Sequence, residues 1–154
     1  MRRLEGKIAI VAGGQRNIGA ATAIRLAAEG ASVVVGAQTE EGWRGTAERI
    51  RAAGGEATGA VFEATEDESV AGLIARAVEA YGGLDGMLVN MADLSLHPKD
   101  TDAVDVPLAV FDRAVAVNLR GHLLCTRHAI PKMLKRGGGA IVYTGSSAGF
   151  MGRG

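Results

Sequence analysis

The sequence predicts an α/β protein with a doubly wound parallel sheet and helices on both of its faces. Short apolar runs alternate with longer helical patterns along the whole chain, and the 23 glycines of the 154 residues fall between these segments. Such alternation is typical of right-handed βαβ crossovers. Residues 1–154 are therefore expected to form one domain, and we expect this domain to be incomplete at its C-terminus, after the fifth strand.

Five short, mostly uncharged runs are predicted as strands. The first is bounded by Gly13 and Gly14, and the second is rich in valine, as expected for strands that are buried on both faces. The predicted strands are residues 7–12, 32–36, 56–62, 86–90 and 140–144.

The first two predicted helices follow the first two strands. In residues 17–29 four apolar residues lie on or near one stripe of the helix, and Gly30 ends the pattern. Thr39 is a candidate N-cap for the second helix, which ends before Gly54. The expected inward positions are Ile18, Ala21, Ile24 and Ala28 in the first helix and Trp43, Ala47 and Ile50 in the second.

Two further helical patterns follow. Thr65 and Glu68 have the spacing of a capping box at the start of an amphipathic helix that runs to Tyr81. After a polar loop over 93–106, a long helical pattern from Leu108 to about Lys135 predicts one long helix that begins near Pro107. Its apolar positions are expected to pack on the sheet; they are Leu119, Leu123, Leu124 and Ile130.

Charge and composition exclude several classes of partner. Lysine plus arginine and aspartate plus glutamate both number 17, with no block of one sign, so neither a nucleic acid nor a membrane surface is an expected partner. A single cysteine, Cys125, and the lack of a signal-peptide pattern favour a soluble, cytoplasmic protein. His97, His122 and His128 lack metal-ligand spacing, and no metal is expected. A small molecule is the expected ligand.

A glycine-rich turn lies between the first strand and the first helix. In this position free backbone N–H groups and the helix dipole can hold a pyrophosphate. Gly13 permits the tight turn, and Gly19 permits close packing of helix on strand. An ordinary connection between packed elements is the alternative. The segment reads Ala12-Gly13-Gly14-Gln15-Arg16-Asn17-Ile18-Gly19.

This turn resembles the T-G-x-x-x-G-x-G turn of the short-chain dehydrogenase/reductase family, whose members have a Rossmann fold and bind NAD(P). Three later segments resemble that family's motifs in the same order along the chain. They are Val89-Asn90-Met91-Ala92-Asp93, Val117-Asn118-Leu119 and Ile141-Val142-Tyr143-Thr144-Gly145-Ser146. The resemblance implies an oxidoreductase that transfers a hydride between a nicotinamide cofactor and a carbonyl or secondary alcohol.

The resemblance also assigns roles to single residues. Asn118 would help to position a proton-relay water, and Ser146, rather than its neighbour Ser147, would hydrogen-bond the reacting oxygen of the substrate. A hydroxyl at the C-terminal end of a parallel strand faces the crevice where ligands bind, which supports this assignment; a plain turn serine is the alternative. Glu63 would contact the adenine. Asn90 and Ala92 would line the nicotinamide ribose.

Charge at the end of the second strand bears on the choice of cofactor. An acid there would accept a hydrogen bond from a ribose 2′-hydroxyl and repel a 2′-phosphate, but Gln38 occupies the position. Arg16 can pair with a phosphate. NADP(H) is therefore favoured over NAD(H), although Gln38 is not the second basic residue of many relatives and Arg16 could simply be solvated.

The sequence departs from the family pattern within the cofactor motifs and in the catalytic pair. Ala12, Asn17, Met91 and Asp93 replace the usual threonine, glycine, asparagine and glycine, and Asn17 is the easiest to accept because asparagine enters left-handed conformations. The catalytic Tyr-x-x-x-Lys pair of the family is not encoded in these residues.

Two functions remain open. The 154-residue chain alone is predicted to be inactive, as the first part of a reductase that is homo-oligomeric at full length. Residues 151–154 have the character of a mid-loop segment, which favours this hypothesis. The alternative is a non-catalytic dinucleotide-binding or interaction module, which the departures at Met91 and Asp93 favour.

Overall fold

The computed structural model of the chain describes residues 2–147. Its centre is a five-stranded parallel sheet with the strand order β3-β2-β1-β4-β5. Each strand begins and ends within one residue of the predicted bounds. The strands are β1 (Ile8–Ala12), β2 (Ser32–Ala37), β3 (Glu56–Val61), β4 (Gly86–Val89) and β5 (Ala140–Tyr143). The predicted doubly wound α/β class is confirmed.

Helices cover both faces of the sheet. Alternate residues of β1 point to opposite faces, so that Ile8 and Ile10 pack with α3 and α5, whereas Ala9 and Val11 pack with α1 and α2. This arrangement gives two apolar cores, one on each face of the sheet. The helices are α1 (Asn17–Ala28), α2 (Glu40–Ala52), α3 (Asp67–Tyr81), α4 (Leu108–Val115) and α5 (Gly121–Leu134), and a π-helical turn (Ala116–Arg120) joins the last two.

The N-terminus of α2 and the buried face of α3 agree with the sequence predictions. Thr39 Oγ1 accepts a hydrogen bond from Gly42 N at 3.1 Å, as expected for an N-cap. Ala47 and Ile50 are buried, and Trp43 packs against them. In α3 the buried positions are Val70, Leu73, Ile74 and Ala77.

The expected stripe of α1 is only partly right, because Ile24 packs against the core but Ala21 and Ala28 are exposed. Ile18 is 61% exposed, and the residues that face the sheet are smaller: Gly19, Ala20, Ala23 and Ala27. Small side chains let the helix axis approach the strands closely, and the larger Ile24 and Leu26 are only partly buried against the same core. The predicted capping box is also wrong. Thr65 Oγ1 donates to Glu63 Oε1 at 2.9 Å, and α3 begins at Asp67 with no side-chain cap.

The predicted long helix is present from Leu108 to Leu134, but it contains a π-helical turn. The π-helical turn inserts an extra residue per turn and changes which side chains face the sheet. Leu124 is buried as expected, but Leu119, Leu123 and Ile130 are 68%, 63% and 44% exposed. These three residues therefore do not belong to the core. Residues 151–154, interpreted above as part of a loop, lie outside the described residues.

Candidate functional site

A crevice of about 510 Å³ opens at the C-terminal ends of β1 and β4. The strand order reverses between these two neighbours, because β2 and β3 lie on one side of β1 and β4 and β5 on the other. In open α/β sheets, such a switch point is where ligands bind. The crevice extends from the glycine turn to the residues that follow β5.

Eleven of the twelve residues selected from the sequence line this crevice. They come from six separate parts of the chain, which the fold brings together at one edge of the sheet. The eleven are Gly13, Gln15, Arg16, Asn17, Ile18, Gln38, Glu63, Asn90, Ala92, Asn118 and Ser146. Gly19, the twelfth, lies behind the turn, where a Cβ atom would come within 2.0 Å of Gly13 O. Each assigned role remains a prediction.

The glycine turn is held against the end of β4. Asn90 N donates to Ala12 O at 2.9 Å, and Asn90 Nδ2 donates to Gly13 O at 3.4 Å. A Cβ atom on Gly13, whose φ is 86°, would come within 2.1 Å of Asn90 O. Gly13 is therefore needed for its backbone conformation and for this close approach.

Asn17 adopts the conformation that its replacement of glycine requires. Its φ is 48°, and it is the only non-glycine residue with positive φ among residues 2–147. Asparagine enters this region more readily than other residues with a side chain, so the turn keeps its shape. Arg16, at the N-cap position of α1, makes no side-chain capping bond. The first N–H groups of the helix are thus available to an anionic ligand.

The pocket wall contains an ionic cluster that the sequence did not predict. Arg113, from α4, donates from Nε to Asp93 Oδ2 at 3.2 Å, and its Nη2 lies 3.6 Å from Glu63 Oε1. The hydrogen bond from Ser95 Oγ, followed by that from Arg113, lowers the pKa of Asp93 against the opposing effect of burial. Asp93 is therefore a carboxylate at neutral pH and is neutralised by Arg113.

Glu63 is already partly engaged in this arrangement. Its Oε1 accepts hydrogen bonds from Thr65 N at 3.2 Å and Thr65 Oγ1 at 2.9 Å. Sequence reasoning missed Arg113 because only the fold of α4 over the strand ends brings it to these acids. The replacement of the family's glycine by Asp93 was the one signal in the sequence that a positively charged partner should lie nearby.

His122 also lines the crevice, together with Asn118 and Ser146. Its ring stacks on that of Tyr143, with centroids 5.9 Å apart and planes at 26°. Asn118 lies in the π-helical turn, a type of helix distortion that is frequent at functional sites. The helical periodicity had not indicated this distortion.

Other reactive groups lie away from the crevice. Burial raises the pKa of Cys125 to about 12, so this fully buried thiol is no nucleophile. Within residues 2–147 no three histidine, cysteine or acidic side chains are grouped so as to hold a metal ion. No helix in the same range is both long and apolar enough to cross a membrane.

Fold, switch point and glycine turn define a nucleotide-binding α/β protein of the Rossmann class. A family model described as short chain dehydrogenase matches residues 7–154. The chain therefore belongs to the short-chain dehydrogenase/reductase family, as the sequence motifs indicated.

Curated relatives agree with this membership. A protein named "probable short-chain type dehydrogenase/reductase" from Bradyrhizobium diazoefficiens is 40% identical over 152 residues, which cover 99% of this chain and 54% of the relative. The 2,5-dichloro-2,5-cyclohexadiene-1,4-diol dehydrogenase LinX of Sphingobium indicum is 40% identical over 147 residues, which cover 96% of this chain and 57% of LinX. The chain thus spans little more than half the length of these relatives.

Solved structures show the same fold. A short-chain type dehydrogenase/reductase from Mycobacterium marinum superposes with a TM-score of 0.89 at 29% identity, covering 97% of this chain and 60% of that one. A 7α-hydroxysteroid dehydrogenase in complex with NADH and 7-oxo glycochenodeoxycholic acid gives a TM-score of 0.90 at 29% identity, over 99% of this chain and 58% of that one. The family binds a nicotinamide dinucleotide.

Proposed function

We propose that this chain is the cofactor-binding part of an oxidoreductase that transfers a hydride between NADP(H) and a carbonyl or secondary alcohol. The observation that carries the proposal is the single crevice in which the glycine turn, Asn90, Asn118 and Ser146 meet. When bound, the nicotinamide cofactor supplies or accepts the hydride. The residues of the chain bind and orient the reactants.

In this proposal the uncapped start of α1 holds the pyrophosphate, and Asn90 fixes the turn beneath it. Ser146 donates a hydrogen bond to the substrate oxygen, where negative charge develops during reduction. Asn118 holds a water through which a proton can move. Glu63 orients the adenine through the carboxylate oxygen that Thr65 does not occupy.

The preference for NADP(H) is supported by the charges around Gln38. No acid lies at the end of β2, and Arg16 lines both the crevice and a second cleft beside it. The related 7α-hydroxysteroid dehydrogenase structure holds NADH, so family membership by itself does not favour NADP(H). The proposal therefore depends on the residues of this chain.

Cofactor binding is the first test. Titration of the purified chain with NADPH and NADH, followed by the fluorescence of the reduced nicotinamide, should show tighter binding of NADPH. Arg16→Gln should remove most of the difference, and Arg44→Gln, which alters an arginine already paired with Glu40, should not. Equal binding of the two cofactors by the unaltered chain would contradict the preference, and no binding of either would contradict the cofactor-binding proposal itself.

Turnover is the second test. Tyr81 and Tyr143 are the two tyrosines of the sequence, and neither is followed by lysine four residues later. A tyrosine titrates near ~10 unless a cation lowers its pKa, so the family's chemistry needs both residues. The 154-residue chain should therefore consume no NADPH with a panel of ketones and aldehydes.

A longer product of the same coding region that contains a Tyr-x-x-x-Lys pair should be active. Turnover by the 154 residues alone would show that the pair is dispensable here. A coding region that stops after Gly154 would favour the alternative function, a dinucleotide-binding module without catalysis.

A further inference from the structure

A second cleft, of about 440 Å³, opens beside the main crevice. The two share three residues, Gln15, Arg16 and Gln38, so the cleft branches from the crevice at the end of β2. Gln38 N donates to Gln15 Oε1 at 3.2 Å, and this bond forms the boundary between the two spaces. The other wall of the cleft is the face of α2 that carries Gly42, Gly45, Thr46 and Arg49.

Arg49 reaches this cleft because the helix offers it an open path. Side chains on a helix lean towards its N-terminus, over the residues three, four and seven positions earlier. For Arg49 these are Thr46, Gly45 and Gly42. A Cβ atom on Gly45 would meet nothing within 4 Å, whereas one on Gly42 would lie 3.0 Å from Gln15 Oε1. The guanidinium can therefore extend past Gly45 towards the glycine turn, which carries Gln15 and Arg16.

Neither the Arg16 nor the Arg49 guanidinium has an acidic partner in the part of the chain that the structure describes. Among residues 2–147, no carboxylate lies within ion-pair distance of Arg16 or Arg49, whereas Arg44 on the same helix pairs with Glu40. The sequence explains the difference for Arg49, since Gly45, Thr46, Ala52 and Ala53 occupy the positions where a pairing acid would lie. Two unpaired cations therefore line one cleft.

Glu41 is the opposing charge in the same lining. Its carboxylate reduces the positive potential of the cleft, but two guanidinium groups against one carboxylate leave a net charge of one positive unit. A phosphate monoester carries nearly two negative charges at neutral pH. The cleft thus has the net positive charge and the hydrogen-bond donors that are needed to bind a phosphate monoester.

We propose that Arg49 is a specificity-determining residue of the cofactor site, and that with Arg16 it forms a two-arginine cleft for the 2′-phosphate of NADP(H). This inference rests on the proposed function, because the adenosine ribose must lie beside Gln38 for its 2′-substituent to enter the cleft. Thr46 holds the wall in place, since its buried Oγ1 donates to Gly14 O at 2.9 Å. Glu41 limits the affinity.

Binding of NADP⁺, NAD⁺ and 2′-AMP to the full chain, measured by calorimetry, tests the inference. Arg49→Gln should weaken NADP⁺ and 2′-AMP by about tenfold, as expected for the loss of one charge-assisted contact, and leave NAD⁺ unchanged. Arg49→Lys should retain part of the affinity, because the charge remains but the forked hydrogen bonds are lost. Glu41→Gln should strengthen NADP⁺ binding.

Arg51→Gln is the matched control. Arg51 lies on the same helix but outside the cleft, where its Nη1 donates to Ala57 O at 3.4 Å, and its loss should change neither cofactor's affinity. Raising the salt concentration should weaken the binding of NADP⁺ more than the binding of NAD⁺. This difference in salt dependence should be smaller in Arg49→Gln.

The outcomes separate the two proposals. If the chain prefers NADP⁺ but Arg49→Gln leaves that preference intact, the role of Arg49 is wrong and the proposed function survives. If NAD⁺ and NADP⁺ bind equally, both the cleft and the NADP(H) preference are wrong, although the dinucleotide site stands. If neither binds, the proposed function fails as well.

Discussion

Strands β1 and β5 belong to the same sheet and are similarly apolar, yet they differ in burial. All five residues of β1 are buried, whereas Val142 and Tyr143 in β5 are 59% and 46% exposed. Strand β1 has a neighbour on each side and helices on each face. Within residues 2–147, β5 pairs with β4 alone. Burial thus depends on the neighbours an element has, and not on its own hydropathy.

The same contrast holds between the helices. In α3 the apolar positions face the sheet, but along α4 and α5 a second set faces outwards. We call this set the outer stripe, and it consists of Leu108, Phe111, Val115, Leu119, Leu123, Ile130 and Leu134, all of which are exposed. Contiguous exposed apolar surface of this kind favours association or binds further protein.

Association is the largest expected effect. Because the outer stripe is exposed and β5 has one neighbouring strand among residues 2–147, the chain should self-associate at micromolar concentration and bind a hydrophobic dye. The double variant Leu119→Ser/Leu123→Ser should reduce both properties, as measured by light scattering after size exclusion and by dye fluorescence. Val61→Ser/Val104→Ser, which alters two exposed valines outside the stripe, should not. A stable monomer without dye binding would contradict the expectation.

Leucine-to-alanine variants compare the two regions directly. Leu73 is fully buried in α3, and Leu73→Ala should lower the free energy of unfolding by about 3 kcal/mol, because removal of the side chain leaves a cavity. The same change at Leu123, which is 63% exposed, should cost at most about 0.5 kcal/mol. Denaturant titration at low protein concentration measures both. Equal costs would mean that the outer stripe is covered in solution.

Glycine-to-alanine variants sharpen the comparison between packed and open positions. Gly19→Ala would place a methyl group 2.0 Å from Gly13 O and should lower stability by about 1–3 kcal/mol and weaken cofactor binding. Gly72→Ala, in α3 with nothing within 4 Å, should instead raise stability by up to about 1 kcal/mol. Thermal denaturation measures both changes in stability, which should have opposite signs. If Gly19→Ala left the melting temperature unchanged, the glycine turn would be able to relax around the added methyl group.

The smallest effect concerns Glu29, a buried acid near the N-terminal end of β2. Hydrogen bonds from Arg3, assisted by Arg25, lower its pKa from 4.5 to about 2. A lowered folded-state pKa adds stability that is fully present above pH 4.5 and is lost as the pH falls to about 2.

Glu29→Gln should therefore lower the melting temperature at pH 7, and its difference from the unaltered chain should narrow between pH 4.5 and about 2. Arg3→Met should show the same pH dependence, since it removes the main donor. A difference that does not change with pH would mean that the ion pairs add no stability.

The strands and the site were predictable because their signals are local. Each strand is a short apolar run with glycine or polar residues at its ends, and the parallel topology then requires the segments after β1, β3, β4 and β5 to meet at one edge. The positions of Gly13, Asn90 and Ser146 in one crevice follow from that topology. The cap at Thr39 was similarly local.

The sequence predictions failed where contacts with residues distant in sequence determine which side chains are buried or bonded. In α1 small residues pack closest to the sheet, so that Ala23 is fully buried and Ile24 only partly buried. The π-helical turn changed the phase of the helix that follows it, and Thr65 bonded Glu63 instead of capping α3. Periodicity and capping rules consider only residues near one another in sequence and therefore do not account for these competing contacts.

By itself, the sequence determined the α/β class, the order of strands and helices, and the residues available for a cofactor site. Apolar periodicity and glycine spacing are properties of the amino-acid sequence and can be recognised without the tertiary structure. The tertiary structure decided which of the apolar residues are buried, how Arg113 neutralises Asp93, and that Arg49 lines a cleft with Arg16. These depend on distances between segments far apart in sequence, which only the packing of helices on the sheet sets.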